Sequence, residues 1–179
     1  MIDEDDERFL VRPMTLDDCD RVGEIRVRGW QSAYRGLVSR SYLDAMSPER
    51  DAERHRTRFA QGDPDIVNLV AEWDGDVMGW ACHGPYRDGE VRTDDAELYA
   101  VYVDPRRYGS GIGQALLREA LWNRTALGHD RMYLWVLKDN TRARRFYERA
   151  GFEADGTEEP FEADDVPVPE VRYVRPLTP

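Results

Sequence analysis

A glycine-rich turn with free backbone donors is the first feature of this sequence that can do chemistry. The stretch "PRRYGSGIG" (105–113) joins a predicted strand to a predicted helix, so N–H groups of the first helical turn surround one concave spot. The helix dipole adds positive charge there, and glycine at 109, 111 and 113 lets an anion approach the backbone. The turn therefore suits a phosphate.

Three interpretations compete for this turn when it is taken alone. A dinucleotide-binding fingerprint needs a third glycine where the chain has Leu116, and it should open a βαβ unit instead of following a hairpin. A P-loop ends in G-K-[ST], whereas this chain has "GIGQ". The third interpretation is a glycine turn that binds no ligand.

A second motif, "NTRARRFYERAGF" (140–152), follows the next predicted strand directly. It places Asn140 at the start of a helix and Tyr147 two turns into it. Both motifs then lie at the carboxyl ends of neighbouring strands, 96–104 and 131–138, where open α/β sheets bind ligands.

The elements that must position these motifs follow from hydrophobic periodicity. The order predicted is one strand, two helices, three strands, a helix, a strand, a helix and two strands. This order predicts an α/β fold with a mixed sheet of six or seven strands. We expect a disordered acidic N-terminus over 1–8 and a single domain over 9–179.

The two motifs together resemble the GNAT superfamily of N-acetyltransferases. The family form N-x-x-A-x-x-[FL]-Y-x-x-x-G-F is met in full by 140–152. Of the acyl-CoA motif [QR]-x-x-G-x-[GA], the chain keeps Gly111 and Gly113, while Tyr108 stands where the family usually has Gln or Arg. The N-terminal stretch from Val11 to Met46 is also similar to family members.

The resemblance implies a mostly antiparallel sheet flanked by helices, with a splayed strand pair that takes up acetyl-CoA. Pantetheine would bond to the backbone of Val101, Tyr102 and Val103. The pyrophosphate would meet the turn at Tyr108, Gly109, Ser110, Gly111, Ile112, Gly113 and Gln114. Asn140 either contacts pantetheine or caps its helix, in competition with Asp139. Arg142, Arg144 and Arg145 reach the adenosine 3′-phosphate or form a solvated helix face.

The same resemblance implies direct attack of a primary amine on the thioester in a ternary complex. Tyr147 is the predicted acid for the departing thiolate, and plain packing beside Phe146 is the alternative. Glu97 is the predicted base, acting directly or through water. Period two places Glu97 on the face of Tyr99 and Val101, toward the acceptor, although a solvated carboxylate fits equally.

Trp30 and Tyr34, one helical turn apart, are predicted to line the acceptor pocket, with core packing as the alternative. The acceptor is a small-molecule amine or a peptide amine. Two other functions stay open: a protein α-amine acetyltransferase of the ribosomal-protein-modifier type, and a non-catalytic CoA-binding regulatory module.

Composition limits the partners. Twenty-five basic against 36 acidic residues give a net charge of −11, and Lys138 is the only lysine. This balance argues against nucleic acid as a partner and is typical of proteins from salt-loving organisms, with an acidic protein of a mesophile as the alternative. No apolar run is long enough for a membrane helix, and the acidic start is unlike a signal peptide, so we expect a cytoplasmic protein. Cys19 and Cys82 are expected to be reduced and buried, with no metal site; exposed C-terminal strands favour a homodimer.

Overall fold

A seven-stranded sheet carries helices on both faces in the computed structural model, which describes residues 9–177. The predicted disordered segment 1–8 lies outside the described residues. The strands are β1 (Phe9–Pro13), β2 (Val67–Trp73), β3 (Asp76–Asp88), β4 (Val91–Val103), β5 (Arg131–Leu137), β6 (Glu153–Ala163) and β7 (Val166–Pro176).

The spatial order of the strands is β1-β2-β3-β4-β5-β7-β6. Only β4 and β5 pair in parallel, and every other neighbouring pair is antiparallel. The predicted mixed and mostly antiparallel sheet is therefore confirmed.

The helices are α1 (Cys19–Ala33), α2 (Arg40–Asp44), α3 (Pro48–Gln61), α4 (Ile112–Ala126) and α5 (Thr141–Arg149). On one face of the sheet α1 packs on α3 and on β3 and β4, where Val22 and Ile25 are fully buried. On the other face α4 buries Ile112, Leu116 and Ala120 against the strands, as its apolar spacing predicts.

Two local features differ from the sequence prediction. The short helix α2 was not predicted, because five residues give too little periodicity to recognise. The β3–β4 hairpin is longer than expected: β4 begins at Val91 instead of Ala96, because its polar first half pairs with the end of β3 through Arg87↔Arg92 and Asp88↔Val91.

Both cysteines are buried and form no disulfide. No helix within residues 9–177 has the length and apolar character to span a membrane. The same residues contain no group of three His, Cys, Asp or Glu side chains arranged to hold a metal ion.

Candidate active site

The β4 and β5 strands diverge, and this opens the centre of the sheet. They pair only at Ala96–Leu98 with Met132–Leu134. Beyond that point β4 keeps only its partner on the other side, where Val101, Tyr102 and Val103 pair with β3. The backbone edge of these three residues that faces β5 has no strand partner within 9–177, so an extended ligand can add there as a strand would.

The glycine turn sits where β4 ends. Gly109 and Gly111 have φ values of 77° and 88°, a region that glycine adopts without the strain other residues suffer. Gly111 is the N-cap of α4, and Gly113 lies within the helix. Among the described residues, no group accepts a hydrogen bond from five amides of the turn, those of Gly109, Gly111, Ile112, Gly113 and Gln114.

One predicted donor of the turn is already used. The Ser110 amide donates to the Arg107 carbonyl at 3.3 Å, and its hydroxyl donates to the same oxygen at 2.6 Å. Ser110 therefore fixes the turn internally. The other free amides and the open space around Gly109 fit a bound pyrophosphate.

Tyr108 lies at the rim of this turn under an arginine from α5. The Arg142 guanidinium stands 4.1 Å from the centre of the Tyr108 ring. Arg144, in contrast, bonds to the Tyr173 hydroxyl and the Lys138 carbonyl, so it points away from the turn. Of the arginines predicted near the cofactor phosphates, Arg142 is thus held beside the turn by an aromatic ring.

Tyr147 extends from α5 toward the same opening. Its ring packs against Phe146 and Phe152, with centroids 5.2 and 6.0 Å away. Burial raises the pKa of its hydroxyl, and the nearby Tyr102 raises it further, so the phenol carries its proton at neutral pH. No residue within 9–177 hydrogen-bonds to this hydroxyl, which leaves it available to a ligand.

Asn140 caps α5. Its side-chain oxygen accepts from the Ala143 amide at 3.2 Å, so Asn140, and not the alternative Asp139, is the N-cap residue of this helix. The amide nitrogen of the same side chain makes no hydrogen bond within the described residues.

A cavity of about 940 Å³ opens next to the diverging strands, between α1, α3 and the sheet. Trp30 and Tyr34 both line it, and they also pack on each other at 4.7 Å. Tyr102 of β4 contacts both of them. Its hydroxyl accepts from the Trp30 indole at 2.8 Å and lies 3.5 Å from the Tyr34 hydroxyl. Burial raises the pKa of Tyr102 and Tyr34.

The predicted orientation of Glu97 is wrong in part. At Tyr99 the β4 strand contains a bulge, since Cys82 pairs with Ala100 but His83 pairs with Leu98. The alternation of faces is broken there, so Tyr99 packs on the α1 side while Val101 packs on the α4 side.

Glu97 is also not exposed to this cavity. It is 4% exposed and does not line the cavity. Arg87 does line it, stacks on the Tyr99 ring, and donates to the Glu97 carboxylate at 3.0 Å. Burial raises the pKa of Glu97, and the contact with Arg87 opposes that rise.

Glu170 is a carboxylate of the site that the sequence prediction missed. It lies on β7, opposite Leu137 of β5 and Glu159 of β6, and it lines the cavity. Burial raises its pKa to about 7, with further contributions from Glu159 and Glu97. The available signal was its alternation with Val168 in β7, which places a carboxylate on a partly buried face.

Comparisons with known proteins agree with this geometry. Residues 28–152 match the Acetyltransferase (GNAT) family. An uncharacterized N-acetyltransferase of Bacillus subtilis is 29% identical over 130 residues, 73% of this chain and 72% of the relative. An uncharacterized N-acetyltransferase of Archaeoglobus fulgidus is 33% identical over 138 residues, which are 76% of this chain and 88% of the relative.

A solved structure is similar over nearly the whole length. The PaiA N-acetyltransferase of Thermoplasma acidophilum, in complex with coenzyme A, superposes with a TM-score of 0.77 at 22% identity, covering 94% of this chain and 98% of that one. The family model covers the diverging strands and the glycine turn, and it assigns the chain to the class of acetyltransferases. The chain belongs to the GNAT family of N-acetyltransferases.

Proposed function

We propose that this enzyme transfers an acetyl group from acetyl-CoA to a primary amine by direct attack in a ternary complex. The observation that carries the proposal is the divergence of β4 and β5 beyond Leu98, beside a turn with free amides. Val101, Tyr102 and Val103 would bind the pantetheine through the open backbone edge. The turn amides from Gly109 to Gln114 would bind the pyrophosphate, with the Ser110 amide excepted.

Acetyl-CoA supplies an activated thioester, and the chain supplies position and proton transfer. The cavity beside Trp30 and Tyr34 would hold the amine close to the point where β4 and β5 diverge. As the C–N bond forms and the C–S bond breaks, the Tyr147 hydroxyl gives its proton to the departing sulfur. The ammonium first loses one proton to water, which leaves the neutral amine that attacks. Glu97 then takes, through water, the second proton, which the nitrogen loses as the amide forms, because Arg87 stands between Glu97 and the cavity. Return of that proton through water from Glu97 to Tyr147 resets both groups.

Three further proposals concern the cellular location of the protein, its working salt concentration and its oligomeric state. We propose that the protein works in the cytoplasm at high salt, in keeping with its net charge of −11. We also propose a homodimer: β6 is a terminal strand of the sheet, and the edge away from β7 has no partner within residues 9–177. Sedimentation at several protein concentrations tests the dimer.

The decisive experiment combines calorimetric titration with acetyl-CoA, at high and low salt, and release of the free CoA thiol with a panel of amines. Micromolar binding with amine-dependent thiol release is the expected result. Binding without turnover on any amine would favour a non-catalytic CoA-binding module. Absence of binding in both buffers would overturn the assignment of the turn. Turnover confined to peptide α-amines would identify a protein-modifying enzyme.

Replacing Tyr147 tests the acid. The Tyr147→Phe variant should lose about 10²-fold in kcat, because general acid catalysis contributes about 10² to 10⁴-fold, while its affinity for acetyl-CoA changes little. Tyr133→Phe is the matched control, since it removes a hydroxyl from β5 outside the cavity. An unchanged kcat in Tyr147→Phe would return Tyr147 to a packing role.

A further inference from the structure

Arginines outnumber carboxylates in the lining of the acceptor cavity, unlike in the whole chain. The protein carries a net charge of −11, yet within residues 9–177 four arginines and two carboxylates line this cavity. The arginines are Arg26, Arg58, Arg87 and Arg92, and the carboxylates are Asp63 and Glu170. A guanidinium group of such a lining attracts an anionic ligand when no carboxylate of the protein already pairs with it.

Most of these charges already have partners. Three of the arginines form ion pairs beside the cavity: Arg26 with Asp51 at 2.7 Å, Arg87 with Glu97 at 3.0 Å, and Arg92 with Asp63 at 2.5 Å. Of the Arg, Asp and Glu side chains that line the cavity, only Arg58 and Glu170 make no side-chain hydrogen bond or ion pair within residues 9–177. The cavity thus offers one free positive and one free negative group.

These two groups lie at different ends of the cavity. Glu170 pairs with Leu137, the last residue of β5, and it is close enough to Tyr34 and Tyr102 to add to the burial that raises their pKa. Tyr147 also contributes to the raised pKa of Tyr34, so Glu170 lies at the end of the cavity that faces α5. Arg58, in the last turn of α3, is the charge that most lowers the pKa of Cys82 on β3 against the effect of burial.

The distance between the ends follows from the sheet. From β3 to β7 the order passes through β4 and β5, which makes three strand spacings. At ~4.8 Å per spacing the backbones are roughly 14 Å apart, and more where β4 and β5 diverge. Long side chains shorten the gap between the charges, and a separation on this scale favours an acceptor whose two charges stand several bonds apart.

We propose that the acceptor is a primary amine that carries an anionic group several bonds from the amine, as an ω-amino carboxylate or a short peptide does. Glu170 binds the amine end, next to the position where the thioester would lie. Arg58 binds the anionic end at the mouth of the cavity. The inference rests on the proposed function and adds the class of acceptor. A polyamine is disfavoured, because its second ammonium would face the guanidinium of Arg58.

Three acceptors of equal length provide the test: 8-aminooctanoate, octylamine and 1,8-diaminooctane, each assayed by release of the CoA thiol. We expect kcat/KM for 8-aminooctanoate to exceed both others by about tenfold, as one charge-assisted contact provides. If all three are acetylated with similar kcat/KM, or if the diamine is preferred, the acceptor inference fails and the proposed function stands. If none of the amines in the wider panel is acetylated, the proposed function fails instead.

Variants assign the two ends. Arg58→Gln should lower the preference for 8-aminooctanoate over octylamine by about tenfold, through KM and not kcat. Arg54→Gln, one turn earlier on α3 and outside the cavity, is the matched control and should keep the preference. Glu170→Gln should lower kcat/KM for every amine. A preference that survives Arg58→Gln would overturn the assignment of the anionic end.

Discussion

Glu170 is a carboxylate that its surroundings hold near half-protonation at neutral pH. Burial and the charges of Glu159 and Glu97 raise its pKa from 4.5 to about 7. Glu159 stands directly across from it on β6, and like charges in that position destabilise a sheet. A residue of this kind costs stability in the free protein, which is typical of side chains that meet a charged ligand.

This cost predicts a pH dependence of stability. A carboxyl whose folded pKa lies above its unfolded value binds more protons when folded, so the free energy of unfolding falls as pH rises between 4.5 and about 7. Glu170→Gln removes the penalty. It should unfold at the same urea concentration as the parent near pH 4.5 and be about 1–2 kcal/mol more stable at about pH 8, after allowing for partial exposure of the carboxylate.

Urea denaturation across this pH range measures the effect. Glu162→Gln, an exposed carboxylate on β6, serves as the control and should leave the pH profile of the parent unchanged. A Glu170→Gln profile parallel to that of the parent would mean that Glu170 titrates as an ordinary surface carboxylate.

The glycines of the turn have different roles at the residue level. Gly111 has a φ of 88°, where a Cβ is strained, whereas Gly113 is helical. A Cβ at 113 would meet Phe146 and Val103 at 3.5 Å, an ordinary contact. Gly111→Ala should therefore lose about 1–2 kcal/mol of stability and bind CoA more weakly, while Gly113→Ala should keep both.

Calorimetric titration with CoA and thermal unfolding of both variants check this prediction. Equal loss of CoA affinity in both variants would contradict it, because the anion would then need both positions bare. Retained affinity in Gly111→Ala would show that the turn tolerates a side chain at its N-cap.

At the level of elements, a buried arginine ties α4 to the sheet. Arg124 is 2% exposed and donates to the His83 ring at 2.7 Å and to the carbonyls of Asp65 and His83 at 2.7 and 3.2 Å. Burial and the charge of Arg124 lower the pKa of His83 to about 3, so the imidazole stays neutral and accepts this bond. The same helix begins at the glycine turn, and the contact therefore helps to fix the turn.

Removing this guanidinium should destabilise the fold, because two buried acceptors of His83 and the less buried carbonyl of Asp65 lose their donor. Arg124→Met is expected to lower the free energy of unfolding by about 2–4 kcal/mol. Arg118→Met, on the exposed face of the same helix, should change it by less than about 0.5 kcal/mol. Urea denaturation of the two variants makes the comparison, and equal stabilities would mean that water replaces the Arg124 contacts.

Elements with strong periodicity were predictable, and local departures from periodicity were not. The apolar spacing of 112–121 predicts α4, and the "DG" turn predicts the hairpin of β2 and β3. The bulge at Tyr99 depends on how β4 pairs with β3, so period-two alternation placed Val101 on the wrong face. The ion pair that covers Glu97 joins residues ten positions apart through the same long hairpin. Glu170 was missed because its burial arises only when β7 packs beside β5.

At the scale of the molecule, the charge distribution separates the surface from the acceptor cavity. The chain carries a net charge of −11, while four arginines, three of them paired with carboxylates, and the carboxyl of Glu170 line the cavity. Salt weakens both the repulsion between surface carboxylates and the attraction of an anionic acceptor. Stability and acceptor KM should therefore both rise with salt.

The effect of salt on stability can be predicted quantitatively. Raising KCl from about 0.05 M to about 1 M shortens the screening length to about 3 Å, so the repulsion that opposes folding is largely removed. We expect the midpoint of thermal unfolding to rise by about 3 °C or more, equivalent to about 1 kcal/mol for a chain of this size.

A variant with Glu90, Glu153 and Glu162 changed to Gln carries −8 instead of −11, since three exposed negative charges are removed. It should start from a higher midpoint in low salt and respond less to KCl. If the parent midpoint instead falls with salt, screening of the surface arginine–carboxylate pairs outweighs relief of the net repulsion, and the acidic surface is no adaptation to salt.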